Sequence, residues 1–73
     1  MTKAQKLAEI EGYDSEFELL EEVGFDSSQP GICTNEGCDY TVCSGLEADC
    51  FDGYCEECET NTVQSITALM GVI

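Results

Sequence analysis

Cysteines spaced as Cys33-x4-Cys38 and Cys55-x2-Cys58, capped apolar segments on either side of them, and a length of only 73 residues predict a small α+β domain stapled by a metal. The expected architecture is an N-terminal αα-hairpin, a zinc-ribbon or knuckle β-hairpin and a short C-terminal helix, forming a single domain over residues 1–73. Length makes the staple necessary. A domain this small buries only about 60% of the surface its unfolded chain exposes, whereas a structural zinc site contributes an apparent ~10–16 kcal/mol at neutral pH.

Residues 2–25 read as an acidic helical hairpin. Thr2 with Gln5, and Ser15 with Glu18, have the spacing of a capping box. Gly12 and Gly24 stand where left-handed C-terminal caps are expected. Leu7 with Ile10, then Phe17, Leu20 and Val23, recur at helical spacing and are the expected core contacts. The opposite face carries Glu9, Glu11, Glu16, Glu18, Glu21 and Glu22. Such glutamates ordinarily form a solvated face. Helices normally mix both charge signs to gain i,i+4 pairs, however, and this one does not. Glu16, Glu18, Glu21 and Glu22 are therefore the candidate partner-binding residues.

Residues 26–31, Asp26-Ser27-Ser28-Gln29-Pro30-Gly31, read as a turn-rich linker. The cysteine-rich module follows over residues 32–59. It holds all six cysteines, together with Tyr40, Thr41, Val42, Phe51 and Tyr54, which favour strands. Gly37 before Cys38 and Gly53 before Tyr54-Cys55 suit a tight backbone that aims two sulfurs at one ion. Residues 60–73 carry no charge. Asn61 or Thr62 is the expected cap of an apolar helix whose stripe is Val63, Ile66, Leu69, Met70 and Ile73. It is too short to span a bilayer, which takes about 20 residues. The stripe either completes the core against the N-terminal helices or forms a homodimer surface.

The chain has no histidine, so a structural site must be all cysteine, with Cys33, Cys38, Cys55 and Cys58 as ligands to one Zn2+ per chain. Six cysteines could instead form three disulfides. The start Met1-Thr2-Lys3-Ala4-Gln5-Lys6 has no secretory h-region, which points to a reducing cytoplasm and to metal. Counting five steps on from Cys38 and five back from Cys55 makes Cys43 and Cys50 a cross-strand thiol pair, either packed as small apolar groups or joined on oxidation. Catalytic thiol chemistry is disfavoured, because Glu56 and Glu57 between Cys55 and Cys58 oppose thiolate formation. Cys50-x4-Cys55-x2-Cys58 lacks the further cysteine of a plant-type iron–sulfur site, and Asp49 with Asp52 does not have calcium-loop spacing.

Sixteen Asp and Glu against two Lys give a formal charge of −14. Direct nucleic-acid binding and attraction to an anionic membrane are excluded on that balance. The expected partner is a host protein with a basic surface.

The run Pro30-Gly31-Ile32-Cys33-Thr34-Asn35-Glu36-Gly37-Cys38-Asp39-Tyr40-Thr41, with Gly53-Tyr54-Cys55-Glu56-Glu57-Cys58 and Asn61-Thr62-Val63, resembles a group of small bacteriophage and prophage proteins. The likeness covers residues 26–73. It implies the same four cysteines as recurring positions and a phage accessory protein acting in the cytoplasm of a bacterial host; Cys43 and Cys50 depart from its pattern. The functional expectation is a non-enzymatic zinc-binding protein that inhibits a basic nucleic-acid-handling target, as a DNA mimic or in the manner of an anti-CRISPR protein. The alternative is a redox or metal-handling protein in which the cysteines themselves are the function.

Overall fold

The computed structural model describes residues 2–24 and 28–72, and Met1, Phe25 to Ser27 and Ile73 lie outside that description. The elements run α1 (Lys3–Ile10), α2 (Glu16–Val23), β1 (Gln29–Cys33), β2 (Thr41–Leu46), β3 (Gly53–Cys55), β4 (Thr60–Ser65) and α3 (Ile66–Met70).

The helix starts follow from their caps. Thr2 Oγ1 accepts the Gln5 N–H at 3.1 Å, and Ser15 Oγ accepts that of Glu18 at 3.3 Å. The Glu18 carboxylate reaches back to the Asp14 N–H at 3.1 Å, so this glutamate is partly engaged in the cap. At the end of α1, Gly12 is left-handed (φ +93°). The Tyr13 N–H bonds the Ala8 carbonyl and the Gly12 N–H that of Glu9, the two bonds of a Schellman closure. Gly24 departs from expectation: it is right-handed at φ −60°. α2 ends instead on a side chain, since Gln29 Nε2 donates to the carbonyls of Val23 (3.1 Å) and Gly24 (3.3 Å).

That contact explains why residues 29–31 are not linker. Gln29, Pro30 and Gly31 are buried in β1, which is paired on both sides in an antiparallel sheet of order β2-β1-β4-β3. Pro30 is tolerated because the β1–β2 register slips between Gln29 and Gly31, where no ladder donor is required. Gly31 is required by proximity: a Cβ there would lie 2.2 Å from Leu46 Cδ1 and 2.5 Å from the Gln64 carbonyl oxygen. Asp26 and Ser27 of the expected linker fall outside the described residues.

A second correction concerns residues 60–65. They form β4 and not the start of a helix, with Cys33 opposite Val63 and Cys55 opposite Thr60. The β-branched Thr60, Thr62 and Val63 fit a pleated surface better than a helix. The cap of α3 is Ser65, whose Oγ accepts the Ala68 N–H at 3.3 Å, and not Asn61 or Thr62.

The sheet divides two apolar clusters. On one side Ala4, Leu7, Ala8, Leu19, Ile32 and Ile66 form the buried core of the helical layer, with Leu69 and Met70 packed against it. Of the expected C-terminal stripe, Ile66, Leu69 and Met70 thus meet the helical core, whereas Val63 is buried in the cluster on the other face. On the other side lie Cys33, Cys55 and Val63, flanked by Cys38, Tyr40, Val42, Leu46 and Cys58. Ile32 and Cys33 are consecutive on β1 and point to opposite faces, as a strand requires. Phe17 and Ile10, expected in the core, are 63% and 51% exposed; Leu19 occupies the place expected of Phe17. No helix among the described residues is long and apolar enough to cross a membrane.

Gln29 also accepts from the Thr67 hydroxyl at 2.9 Å, which ties α2, β1 and α3 together in the interior. Replacing it with leucine removes these bonds and leaves the carbonyls that end α2 and the buried Thr67 hydroxyl without their Gln29 partner. The expected cost is about 2–3 kcal/mol of unfolding free energy, read by urea denaturation of the metal-loaded protein; a loss below about 0.5 kcal/mol would show that the network is dispensable.

Candidate metal centre

The four cysteines come from two turns hung on the sheet. Cys33 ends β1, and the chain turns through Gly37, left-handed at φ +82°, to reach Cys38. Cys55 ends β3, and the turn back through Cys58 is closed by the Glu59 N–H on the Cys55 carbonyl at 2.8 Å. Pairing of β4 with both β1 and β3 brings the turns together.

All four Sγ atoms lie within 4.8 Å of one another. The contacts between turns are 3.8 Å for Cys33–Cys58 and 3.7 Å for Cys38–Cys55. A tetrahedron with metal–sulfur bonds of about 2.3 Å has edges of about 3.8 Å, so the donors are spaced for one mononuclear ion. They are too far apart for disulfides, which close to about 2.05 Å, and all six cysteines are free. The four residues chosen from spacing are thus brought together.

Backbone donors aim at the sulfurs. Cys38 Sγ is bonded by the Tyr40 N–H and Cys33 Sγ by the Asn35 N–H, each two residues beyond its cysteine. Cys55 Sγ accepts the Cys58 N–H at 3.3 Å. Thr62 Oγ1 lies 3.1 Å from Cys33 Sγ. These dipoles favour thiolate. At Cys33 burial alone raises the thiol, but the Thr62 hydroxyl, the Asn35 N–H and the neighbouring thiols outweigh it and bring the pKa to about 7. At Cys38 the Tyr40 N–H lowers the thiol, yet the thiols around it and burial win, and it is pushed up to about 12. Burial raises Cys55. One early thiolate and neighbours that retain protons is the pattern of donors held together until a cation displaces those protons.

Cys43 and Cys50 are not a cross-strand pair. β2 and β3 lie at opposite edges of the sheet, with β1 and β4 between them, and Cys50 precedes β3 in a turn. The expected hairpin joining them does not form, because β2 pairs back onto β1 and β3 pairs forward onto β4. Cys43 is exposed on β2, and Cys50 is half-buried.

Three participants were missed by spacing. Thr62, expected as a helix cap, faces a sulfur from β4. Lys3 Nζ donates to the Cys38 carbonyl, and Lys6 Nζ pairs with Asp39 Oδ1 at 2.7 Å. Lys6 holds the Asp39 carboxyl below its usual range. No spacing rule pointed to them, since the lysines lie more than thirty residues before the turn they meet.

Of the expected partner-binding residues, Glu18, Glu21 and Glu22 are exposed and Glu16 is half-buried, all on α2. No protein-family model, curated protein or solved structure matches the chain. The resemblance to small phage proteins therefore stands on the quoted cysteine-module residues alone, and the conclusion that the chain carries is a four-cysteine site fit to bind one metal ion.

Proposed function

We propose that the chain is a non-enzymatic, zinc-stapled binding protein that sets a carboxylate face against a basic surface on a host protein, the target being one that handles nucleic acid. The observation that carries this reading is the disposition of charge. Both lysines are engaged at the Cys38 turn, so among the described residues the exposed Glu18, Glu21 and Glu22 of α2 have no lysine to balance them. Zinc is the preferred ion because four thiolates with no histidine or carboxylate ligand suit a closed structural site, and Cys33 and Cys55 are fully buried. Such burial also disfavours the metal-handling alternative, which needs ready exchange. Phe17, 63% exposed between Glu16 and Glu18, supplies the aromatic anchor that a protein interface uses. Inhibition by DNA mimicry, as some phage anti-CRISPR proteins achieve it, is the form of this function that the resemblance and the charge together support.

The test is binding of the zinc-loaded protein to basic nucleic-acid-binding proteins of a bacterial host at about 50 and about 300 mM salt. Affinity should fall by about tenfold or more across that range, as screening predicts. It should be lost in the triple variant E16K/E21K/E22K, with Glu18 left in place because it closes the cap. Affinity independent of salt and of these charges would refute the acidic-face reading. More than one zinc per chain, readily exchanged, would establish metal handling instead.

A further inference from the structure

Lys3 and Lys6 stand one turn apart on α1, so both project from the same side of the helix. Lys3 reaches the carbonyl of a candidate metal ligand, Cys38, and Lys6 the carboxylate of the next residue, Asp39. α1 in turn buries Ala4, Leu7 and Ala8 in the helical core. No other segment between the two apolar clusters carries a positive charge. Four thiolates around a divalent ion sum to a charge of −2, set in a chain that is already at −14.

We propose that Lys3 and Lys6 form a cationic clamp that locks α1 onto the loaded metal turn, so that metal retention and helical docking stabilise each other. This inference rests on the metal-stapled reading above. The Lys3 bond fixes the peptide plane at Cys38 and so the direction of that sulfur. The Lys6 pair holds the following residue, and the two charges lower the cost of gathering four thiolates. Groups that orient a ligand from behind typically matter about 10–100-fold in metal affinity. The lower end applies here, because the side chains of Lys6 and Asp39 are 42% and 52% exposed and their attraction is screened. The coupling is reciprocal by thermodynamic necessity: whatever α1 contributes to holding the metal, the metal contributes to holding α1.

The experiment is zinc transfer from the loaded full-length chain to a chromophoric chelator, with hydrogen exchange of the α1 amides measured on the same samples. K3Q/K6Q should release zinc about tenfold faster than the wild type and lose protection in α1. K3R/K6R should restore most of both, and added salt should speed release from the wild type while leaving K3Q/K6Q nearly unchanged. Should the double variant lose its helical signal, K6Q alone, at the half-exposed pair, should still release zinc about threefold faster. Loaded wild type and K3Q/K6Q with equal rates and equal α1 protection overturn the clamp while leaving the metal site standing. A wild-type chain that takes up no zinc overturns both.

Discussion

Removing the metal with a chelator, or replacing Cys55 with serine, is expected to abolish the native fold, seen as loss of sheet and helix signals in circular dichroism. The reason lies in what fills the second cluster. Its buried members are Cys33, Cys55 and Val63, and two of its flanking residues are Cys38 and Cys58, so candidate metal ligands make up two of its three buried residues. A domain of this size has about 4–11 kcal/mol of stability. A structural zinc site supplies an apparent ~10–16 kcal/mol, so its loss is as large as the margin or larger. The helices should not survive separately, because β1 contributes Ile32 to the helical core directly beside Cys33, and α3, which brings Ile66, follows without a break from β4. Cys43→Ser is the control: that residue is exposed, and its replacement should change stability by less than about 0.5 kcal/mol. A helical layer that persists unaltered after chelation would show that the halves fold independently.

Metal affinity is expected to rise steeply with pH, by about 100-fold per unit between pH 7 and 9. Each ligand binds as thiolate, so every proton held by the metal-free donors must leave. With Cys38 pushed up to about 12 and Cys55 raised, both thiols hold protons at neutral pH that the ion must displace. Two protons released mean two decades of apparent affinity per pH unit. Below about 7 Cys33 also becomes protonated, and the dependence steepens further. The sign is the same if the metal-free chain is unfolded, because ordinary thiols near 8.5 also hold their protons at pH 7–8. The metal depresses the thiol pKa values of the native state, so the stability it brings is present at neutral and higher pH and lost on acidification. Zinc titration of the reduced chain at pH 8 in weak buffer, read with a pH indicator, should release at least two protons per ion; fewer than two would contradict this account.

The two N-terminal helices and the four cysteines of the candidate site were legible in the sequence because both are local or nearly so. Caps such as Thr2 and Ser15 bond within three residues, and cysteine pairs with four or two residues between them point to a shared ion. What was not legible depends on long-range pairing. Residues 60–65 read as helix when taken alone, since Val63, Ile66 and Met70 fall at helical intervals. Only the partner strands β1 and β3 on either side make Thr60 to Ser65 a strand. Gln29-Pro30-Gly31 read as linker for a similar reason: glycine and proline usually mark turns, whereas here a slipped register and a crowded strand centre require them. The misplacement of Phe17 arose from choosing between two apolar arcs of α2, and Leu19, buried at 1% exposure, shows which arc meets α1. The Cys43–Cys50 pairing failed because it assumed that neighbouring strands in sequence are neighbours in the sheet.

The alternation at Ile32 and Cys33 also governs how such a molecule can change over generations. One strand serves two interiors, so a substitution that repacks the helices shifts the backbone from which a ligand hangs, and drift on either side is disciplined by the other. The outward arc of α2, with Phe17, Glu21 and Glu22, touches neither interior. Mutations there cost little stability, so that surface can vary freely while the framework behind it stays fixed.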